Sequence, residues 1–112
     1  MARNILVTGA AGYIGSLTVE ALSREDRVNT LVAYDLRAAK APPTVITATG
    51  DIAEDDLQAL LSRHEIDTVI HLASILKPPI GAPADLAWRV DVQGTRRLLE
   101  ACIATGVRPV SY

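Results

Sequence analysis

The sequence predicts an α/β domain with a doubly wound parallel β-sheet, in which helices cover both faces. Short apolar runs alternate along the chain with segments of helical periodicity, and a Gly-rich turn separates the first apolar run from the first helical segment. The length of 112 residues fits one compact domain. Right-handed crossovers place helices on both faces of such a sheet, and the strand order we expect for it is 3-2-1-4-5.

The first half of the chain contains three predicted strands and two predicted helices. Residues 4–8 form a continuous apolar run, which is typical of a strand buried on both faces. Helical spacing of apolar residues predicts a helix over about 12–24, and a run rich in β-branched residues predicts a second strand over 28–35. A short third strand is expected over 44–48. The next helix is expected over 53–65, with acidic residues in its first turn, where the helix dipole favours them.

The second half repeats the alternation of strand and helix. Residues 67–73 predict a fourth buried strand, and the Pro-rich segment 74–84 predicts an irregular loop. A long helix is expected over about 85–105, with Gly106 as its C-terminal cap. Residues 107–112 begin a fifth strand, at which the predicted sheet is truncated.

Composition and charge limit the classes of partner. The net charge of −2 comes without a cluster of Lys and Arg, so nucleic acid is not an expected partner. The apolar runs are shorter than the roughly 20 residues of a membrane-spanning helix, and the sequence shows no export signal. A single cysteine excludes an intramolecular disulfide and a cysteine-based zinc site. We therefore expect a cytoplasmic protein with no metal and no membrane partner.

Residues 8–15, with the sequence TGAAGYIG, link the first strand to the first helix. In this position glycines permit a tight turn, close approach of a pyrophosphate and close packing of helix on strand. The helix N-terminus adds unpaired N–H donors for the anion. Asp35 ends the next strand, 20 residues after Gly15, where an acid accepts hydrogen bonds from ribose hydroxyls. The pattern predicts dinucleotide binding; the alternative is a glycine turn that serves packing alone.

Four ordered motifs resemble the short-chain dehydrogenase/reductase superfamily, and within it the extended NAD-dependent epimerase/dehydratase type. Residues 8–15 resemble the TGxxGxxG motif of that family, and residues 50–52 (GDI) resemble its Gly-Asp-aliphatic turn. Residues 71–74 (HLAS) resemble its HLAA segment. Residues 90–95 (VDVQGT) resemble its VNVxGT helix, with Asp91 where the family usually has Asn.

The resemblance implies a Rossmann-like fold, NAD as the cofactor, and a set of cofactor-binding residues. In the family the acid of the third-strand turn contacts the adenine amino group, and the HLAA segment lies along the ribose. Carried onto this sequence, the cofactor-binding residues are Gly9, Ala11, Gly12, Tyr13, Ile14, Gly15, Asp35, Asp51, Ile52, Leu72, Ala73 and Ser74.

Several of these residues keep a second interpretation. Arg37 could meet a 2′-phosphate and so favour NADP, but the carboxylate of Asp35 favours NAD. Asp51 could be only the N-cap of the following helix. His71 could be a core histidine bonded to the backbone instead of a catalytic group.

The sequence contains no candidate for the family's acid–base chemistry. The family uses a Ser and a Tyr-x-x-x-Lys pair, and none of Tyr13, Tyr34 and Tyr112 has a Lys four residues later. No catalytic residue is therefore assigned, and whether the chain is an enzyme by itself stays open. We expect residues 1–112 to be the N-terminal NAD-binding part, with the catalytic and substrate-binding C-terminal part absent.

The predicted function follows from this division. The chain would be the NAD-binding part of an epimerase, dehydratase or dehydrogenase that acts on a sugar nucleotide or a similar hydroxyl or keto substrate. That substrate would bind only with the missing part. The alternative is a non-catalytic dinucleotide-binding module or redox sensor.

The long helix over 85–105 carries two apolar stripes, whereas a surface helix of a monomer needs one. One stripe, around Val90, is expected to face the sheet. The second stripe consists of Trp88, Val92, Leu99 and Ile103. It predicts a homodimer through a self-complementary patch. The alternative is that a missing C-terminal helix of the same chain covers it.

Overall fold

A computed structural model describes residues 2–73 and 80–111, with side chains through residue 108. Five parallel strands form one sheet in the order β3-β2-β1-β4-β5, as the sequence predicted. Because β1 lies between β2 and β4, the direction of winding reverses beside it. The strands are β1 Arg3–Thr8, β2 Val28–Asp35, β3 Ile46–Thr49, β4 Thr68–His71 and β5 Arg108–Ser111.

The connections between the strands contain the helices. A long helical segment between β4 and β5 has three consecutive parts. The helices are α1 Tyr13–Ser23, α2 Leu57–Arg63, α3 Leu86–Trp88, a π-helical segment Arg89–Gly94, and α4 Thr95–Thr105. Within the described residues, no helix is long and apolar enough to cross a membrane.

The alternating side chains of the strands create a core on each face of the sheet. Leu6 of β1 packs on one face with residues of α2 and α4, including Leu61 and Leu98. Ile5 and Val7, its neighbours in the sequence, pack on the other face with Val19 and the rest of a second cluster. Strands buried on both faces explain why β1 reads as a continuous apolar run.

The helix expected over 53–65 begins later than predicted, at Leu57. Asp56 is its N-cap, with Oδ1 accepting the Ala59 N–H at 3.1 Å. The preceding residues form a turn closed by the N–H of Asp55 on the Asp51 carbonyl at 2.8 Å. The interpretation of Asp51 as the helix N-cap is therefore wrong. Its Oδ1 instead accepts the Ala53 N–H at 2.9 Å, inside the turn.

The long helix predicted over 85–105 is not α-helical throughout, because Arg89–Gly94 forms a π-helical segment. At Gly94 a Cβ would lie only 2.5 Å from Cγ2 of Ile52, so the absence of a side chain lets Ile52 pack against the helix. The predicted cap at Gly106 is confirmed: its φ of +76° is left-handed, and its N–H donates to the Cys102 carbonyl.

The two faces of this segment differ in exposure as the periodicity indicated. Val90, Gly94 and Leu98 are buried toward the sheet. The opposite face, which we call the outer stripe, is exposed, with Trp88 at 53%. The outer stripe consists of Trp88, Val92, Leu99 and Ile103.

Candidate dinucleotide site

The motif residues meet at the carboxyl ends of β1, β2 and β4. Parallel α/β sheets bind ligands at this edge, where the winding direction reverses. The loop after β1 is tied to β2 by the Ala10 N–H, which donates to the Tyr34 carbonyl at 3.2 Å. It is tied to the end of β4 by the Leu72 N–H, which donates to the Thr8 carbonyl at 3.2 Å.

Two glycines of the loop are required by the packing of the protein itself. Gly9 has a φ of +71°, and a Cβ there would lie 2.6–2.7 Å from the backbone of Leu72 and Ala73. At Gly15 a Cβ would overlap the Gly9 carbonyl, so α1 could not lie so close to the loop. These two positions would be glycine with or without a ligand.

Gly12 differs because no neighbouring protein atom requires its missing side chain. Its φ of −76° and ψ of 173° suit any residue, and a Cβ there would have ordinary contact with the Gly9 carbonyl oxygen at 3.4 Å. Gly12 is also the N-cap of α1 and supplies no capping side chain, so the first N–H groups of the helix gain no acceptor from it. Tyr13 and Ile14 are exposed here, with Tyr13 at 79%. A bare helix N-terminus of this kind fits an anion such as a pyrophosphate.

The carboxylate of Asp35 anchors the same loop. Its Oδ2 accepts the Ala11 N–H at 2.9 Å, and its Oδ1 accepts the Leu36 N–H at 2.6 Å. Each oxygen keeps one further lone pair for a ligand hydroxyl. Arg37 is exposed just beyond it. Asp35, which its spacing suggested as a ribose ligand, therefore also holds the loop after β1.

The turn after β3 carries the predicted residues Asp51 and Ile52. The Ile52 side chain belongs to the core at 4% exposed, so any contact with a cofactor would come from its backbone. The Asp51 Oδ2 accepts a hydrogen bond from Arg89 at 3.2 Å. Nearby, the buried Tyr34 hydroxyl donates to Asp55 at 2.6 Å, and burial together with this bond raises the pKa of Tyr34.

His71 ends β4 in a chain of buried and part-buried hydrogen bonds. The Thr8 hydroxyl oxygen accepts the Ala73 N–H at 3.2 Å and shares the Leu72 N–H, at 3.0 Å, with the Thr8 carbonyl. With two donors directed at this oxygen, we assign its proton to Nδ1 of His71, at 2.6 Å. The neutral imidazole then carries its own proton on Nε2, which donates to the Thr95 hydroxyl at 2.7 Å.

These hydrogen bonds give His71 a structural role, which joins β1 to α4, and they correct its expected partners. His71 is a core histidine at 6% exposed, as one interpretation expected, but its partners are two threonine hydroxyls and not the backbone. Burial lowers the pKa of His71, and the negative charge of Asp91 opposes that shift. Thr95 was missed by the sequence reasoning, since nothing in its spacing relates it to His71.

The structure brings most predicted cofactor residues to one edge of the sheet. Ser74 lies outside the described residues. Among those described, no group of three or more His, Cys, Asp or Glu could hold a metal ion. The residues at the edge are Gly9, Ala11, Gly12, Tyr13, Ile14, Gly15, Asp35, Leu72 and Ala73, with Asp51 and Ile52 in the turn after the neighbouring β3.

Residues 5–112 match the model of the NAD-dependent epimerase/dehydratase family. The chain belongs to this family. Human 3 beta-hydroxysteroid dehydrogenase type 7 is 35% identical over 117 residues, which cover 96% of this chain and 31% of the relative. UDP-glucose 4-epimerase of Halalkalibacterium halodurans is 36% identical over 112 residues, which cover 96% of this chain and 33% of the epimerase.

Two solved structures resemble this chain in fold. MoeE5 in complex with UDP-glucuronic acid and NAD superposes with a TM-score of 0.81 at 35% identity, covering 96% of this chain and 36% of MoeE5. A mutant of uronate dehydrogenase from Agrobacterium tumefaciens complexed with NAD gives a TM-score of 0.81 at 27% identity, covering 99% of this chain and 40% of the enzyme.

The predicted Rossmann-like fold and the predicted family are both confirmed by these relatives. The chain spans about a third of the length of most of them, 31% for the human dehydrogenase.

Proposed function

We propose that the chain binds NAD at the carboxyl edge of its sheet, with the adenosine half held by β2 and the turn after β3. The observation that carries this proposal is Gly12. It caps α1 without a side chain, and packing alone does not require it to be glycine. A pyrophosphate that approaches the helix N-terminus would require it. The NAD carried by the related structures supports the same cofactor.

Six of the predicted residues then have a direct role in binding. The backbone N–H groups of Tyr13 and Ile14 would donate to the pyrophosphate, and Asp35 would accept from the ribose hydroxyls of adenosine. Asp51 would accept from the adenine amino group. The backbone of Leu72 and Ala73 would lie along the second ribose. NAD, when bound, supplies hydride chemistry at its nicotinamide ring, and the described residues hold and orient the cofactor.

The preference for NAD over NADP tests this assignment. The carboxylate of Asp35 repels a 2′-phosphate, so we expect calorimetric titration to show NAD binding at least about tenfold tighter than NADP. ADP-ribose should bind nearly as well as NAD. Asp35→Asn should reduce the preference, whereas Asp26→Asn, an exposed carboxylate in the turn before β2, should leave it unchanged. NADP binding equal to NAD in the parent chain would contradict the role of Asp35.

We further propose that residues 1–112 are the N-terminal cofactor-binding part of an epimerase, dehydratase or dehydrogenase acting on a sugar nucleotide or a similar hydroxyl or keto substrate. The coverage of about a third of the relatives supports this division, since the rest of their length would supply catalytic and substrate-binding residues. Several relatives are named for UDP-sugars. The cytoplasmic location stays a prediction.

A homodimer through the outer stripe is the remaining part of the proposal. A row of four exposed apolar side chains on one helical segment needs cover, and a second copy offers an identical row about a two-fold axis. Trp88 is the largest member of the row and the natural centre of the contact.

Sedimentation velocity tests the dimer directly. We expect the parent chain to sediment as a dimer at high concentration and Trp88→Glu to sediment as a monomer, because a carboxylate would be buried without a partner. Leu36→Glu is the matched control: Leu36 is an apolar residue 58% exposed just after β2, outside the outer stripe, and its change should leave the dimer intact. A parent chain that is monomeric at high concentration would contradict the proposal.

A further inference from the structure

The turn after β3 is held by the long helical segment at three points. Arg89, at the start of the π-helical part, reaches the Asp51 carboxylate. Gly94, at its end, leaves the space that Ile52 fills. One turn later, Arg97 donates to the Ile52 carbonyl at 2.8 Å. The unusual π-helical geometry thus lies opposite the residues assigned to adenine, and such segments are frequent at functional sites.

The two arginines hold different parts of this turn. Among the described residues, Arg97 donates to three backbone carbonyls, those of Ile52, Glu54 and Asp55, and so fixes the path of the chain. Arg89 donates to side-chain carboxylates, to Asp51 Oδ2 at 3.2 Å and to Glu54 Oε1 at 2.9 Å. What Arg89 fixes is therefore the direction of a carboxylate and not the backbone beneath it.

The Asp51 carboxylate has both oxygens restrained by this arrangement. Oδ1 accepts the Ala53 N–H at 2.9 Å, and Oδ2 accepts from Arg89. With both oxygens held, the plane of the carboxylate is set, and each oxygen keeps one lone pair for a further donor. The Arg89 and Asp51 side chains are about a quarter and a third exposed, so the pair lies at the surface of the site and is open to a ligand.

We propose that Arg89 is a positioning residue for recognition of the adenine amino group: it holds Asp51 so that the carboxylate accepts from that group. The inference rests on the proposed NAD function and adds a residue that the family motifs did not indicate. It makes the chain selective for an amino group over a carbonyl oxygen at this position of the base.

Nicotinamide hypoxanthine dinucleotide is the probe that separates positioning from general stability, because it carries a carbonyl oxygen where NAD carries the amino group. We expect the parent chain to bind NAD about tenfold more tightly than this analogue, as one charge-assisted hydrogen bond would provide. Arg89→Ala should reduce the ratio to about twofold, close to the ratio for Asp51→Asn. Arg89→Lys should restore part of it, since a cation remains beside Asp51.

Arg96→Ala is the matched control, because Arg96 lies on the same helical segment but pairs with Glu100 on the exposed side. It should keep the parent ratio. Circular dichroism should show each variant folded, and Arg89→Gln, which keeps most of the side-chain stem, replaces Arg89→Ala if that variant unfolds. An unchanged ratio in the Arg89 variants, or equal weakening of both dinucleotides, would overturn the inference while leaving the proposed function intact. A parent chain that binds neither dinucleotide would overturn both.

Discussion

Gly12→Ala is expected to lower the affinity for NAD by about a hundredfold while leaving the chain folded. The added methyl group would stand at the N-terminus of α1, where we place the pyrophosphate, and would keep the phosphate from the helix N–H groups. The same methyl has ordinary contacts within the protein and a backbone conformation that alanine adopts. We therefore expect the free energy of unfolding in urea to change by no more than about 1 kcal/mol.

Two other glycines provide the comparison that isolates binding from stability. Gly15→Ala forces α1 away from the Gly9 carbonyl and should cost about 3 kcal/mol of unfolding free energy, along with NAD binding. Gly106→Ala places alanine at a φ of +76° far from the site, with open space around it. It should cost about 1–2 kcal/mol yet bind NAD as the parent does. If Gly12→Ala bound NAD as tightly as the parent chain, the cofactor proposal would lose its main support.

The fold was predictable because its signals are local and repeated. Each buried strand is an apolar run, and β2 was predicted with its observed ends at Val28 and Asp35. The strand order was expected from the doubly wound fold class, and the sheet has that order. The start of α2 was not predictable in this way. Three consecutive acids at 54–56 all suit a helix N-terminus. The third is the cap because the residues before it form a turn, in which Asp55 accepts from the Tyr34 hydroxyl and Ile52 packs against Gly94.

The candidate site was likewise predictable where its signals are local in the sequence. Glycine spacing and the position of Asp35 are sequence signals, and the structure places them together. The π-helical segment has no such signal, because it depends on contacts with residues some 40 positions away, such as Arg89 with Asp51. Thr95 joins His71 across 24 residues and two elements, so only the folded chain relates them.

His71→Ala is expected to lower the free energy of unfolding by about 3 kcal/mol, a large part of the stability of a small domain. The change leaves the buried hydroxyl of Thr8 without its acceptor, takes the Nε2–H donor from Thr95, and opens a cavity beside β1. Urea titration at pH 7 measures the loss. Thr95→Val, which removes only the outer end of the chain of bonds, should cost about 1 kcal/mol.

The same hydrogen bonds predict how stability depends on pH. In the folded state Nδ1 of His71 accepts the Thr8 proton, and burial lowers the pKa of the imidazole, so the folded chain resists a proton that the unfolded chain takes up near pH 6.5. Stability should therefore be full above about pH 6.5 and fall by up to about 1.4 kcal/mol per pH unit below it. His71→Gln should flatten this slope between pH 7 and 5.5. Equal slopes in the parent and in His71→Gln would show that the imidazole takes up its proton as easily in the folded chain, and the assigned direction of the Thr8 bond would then be wrong.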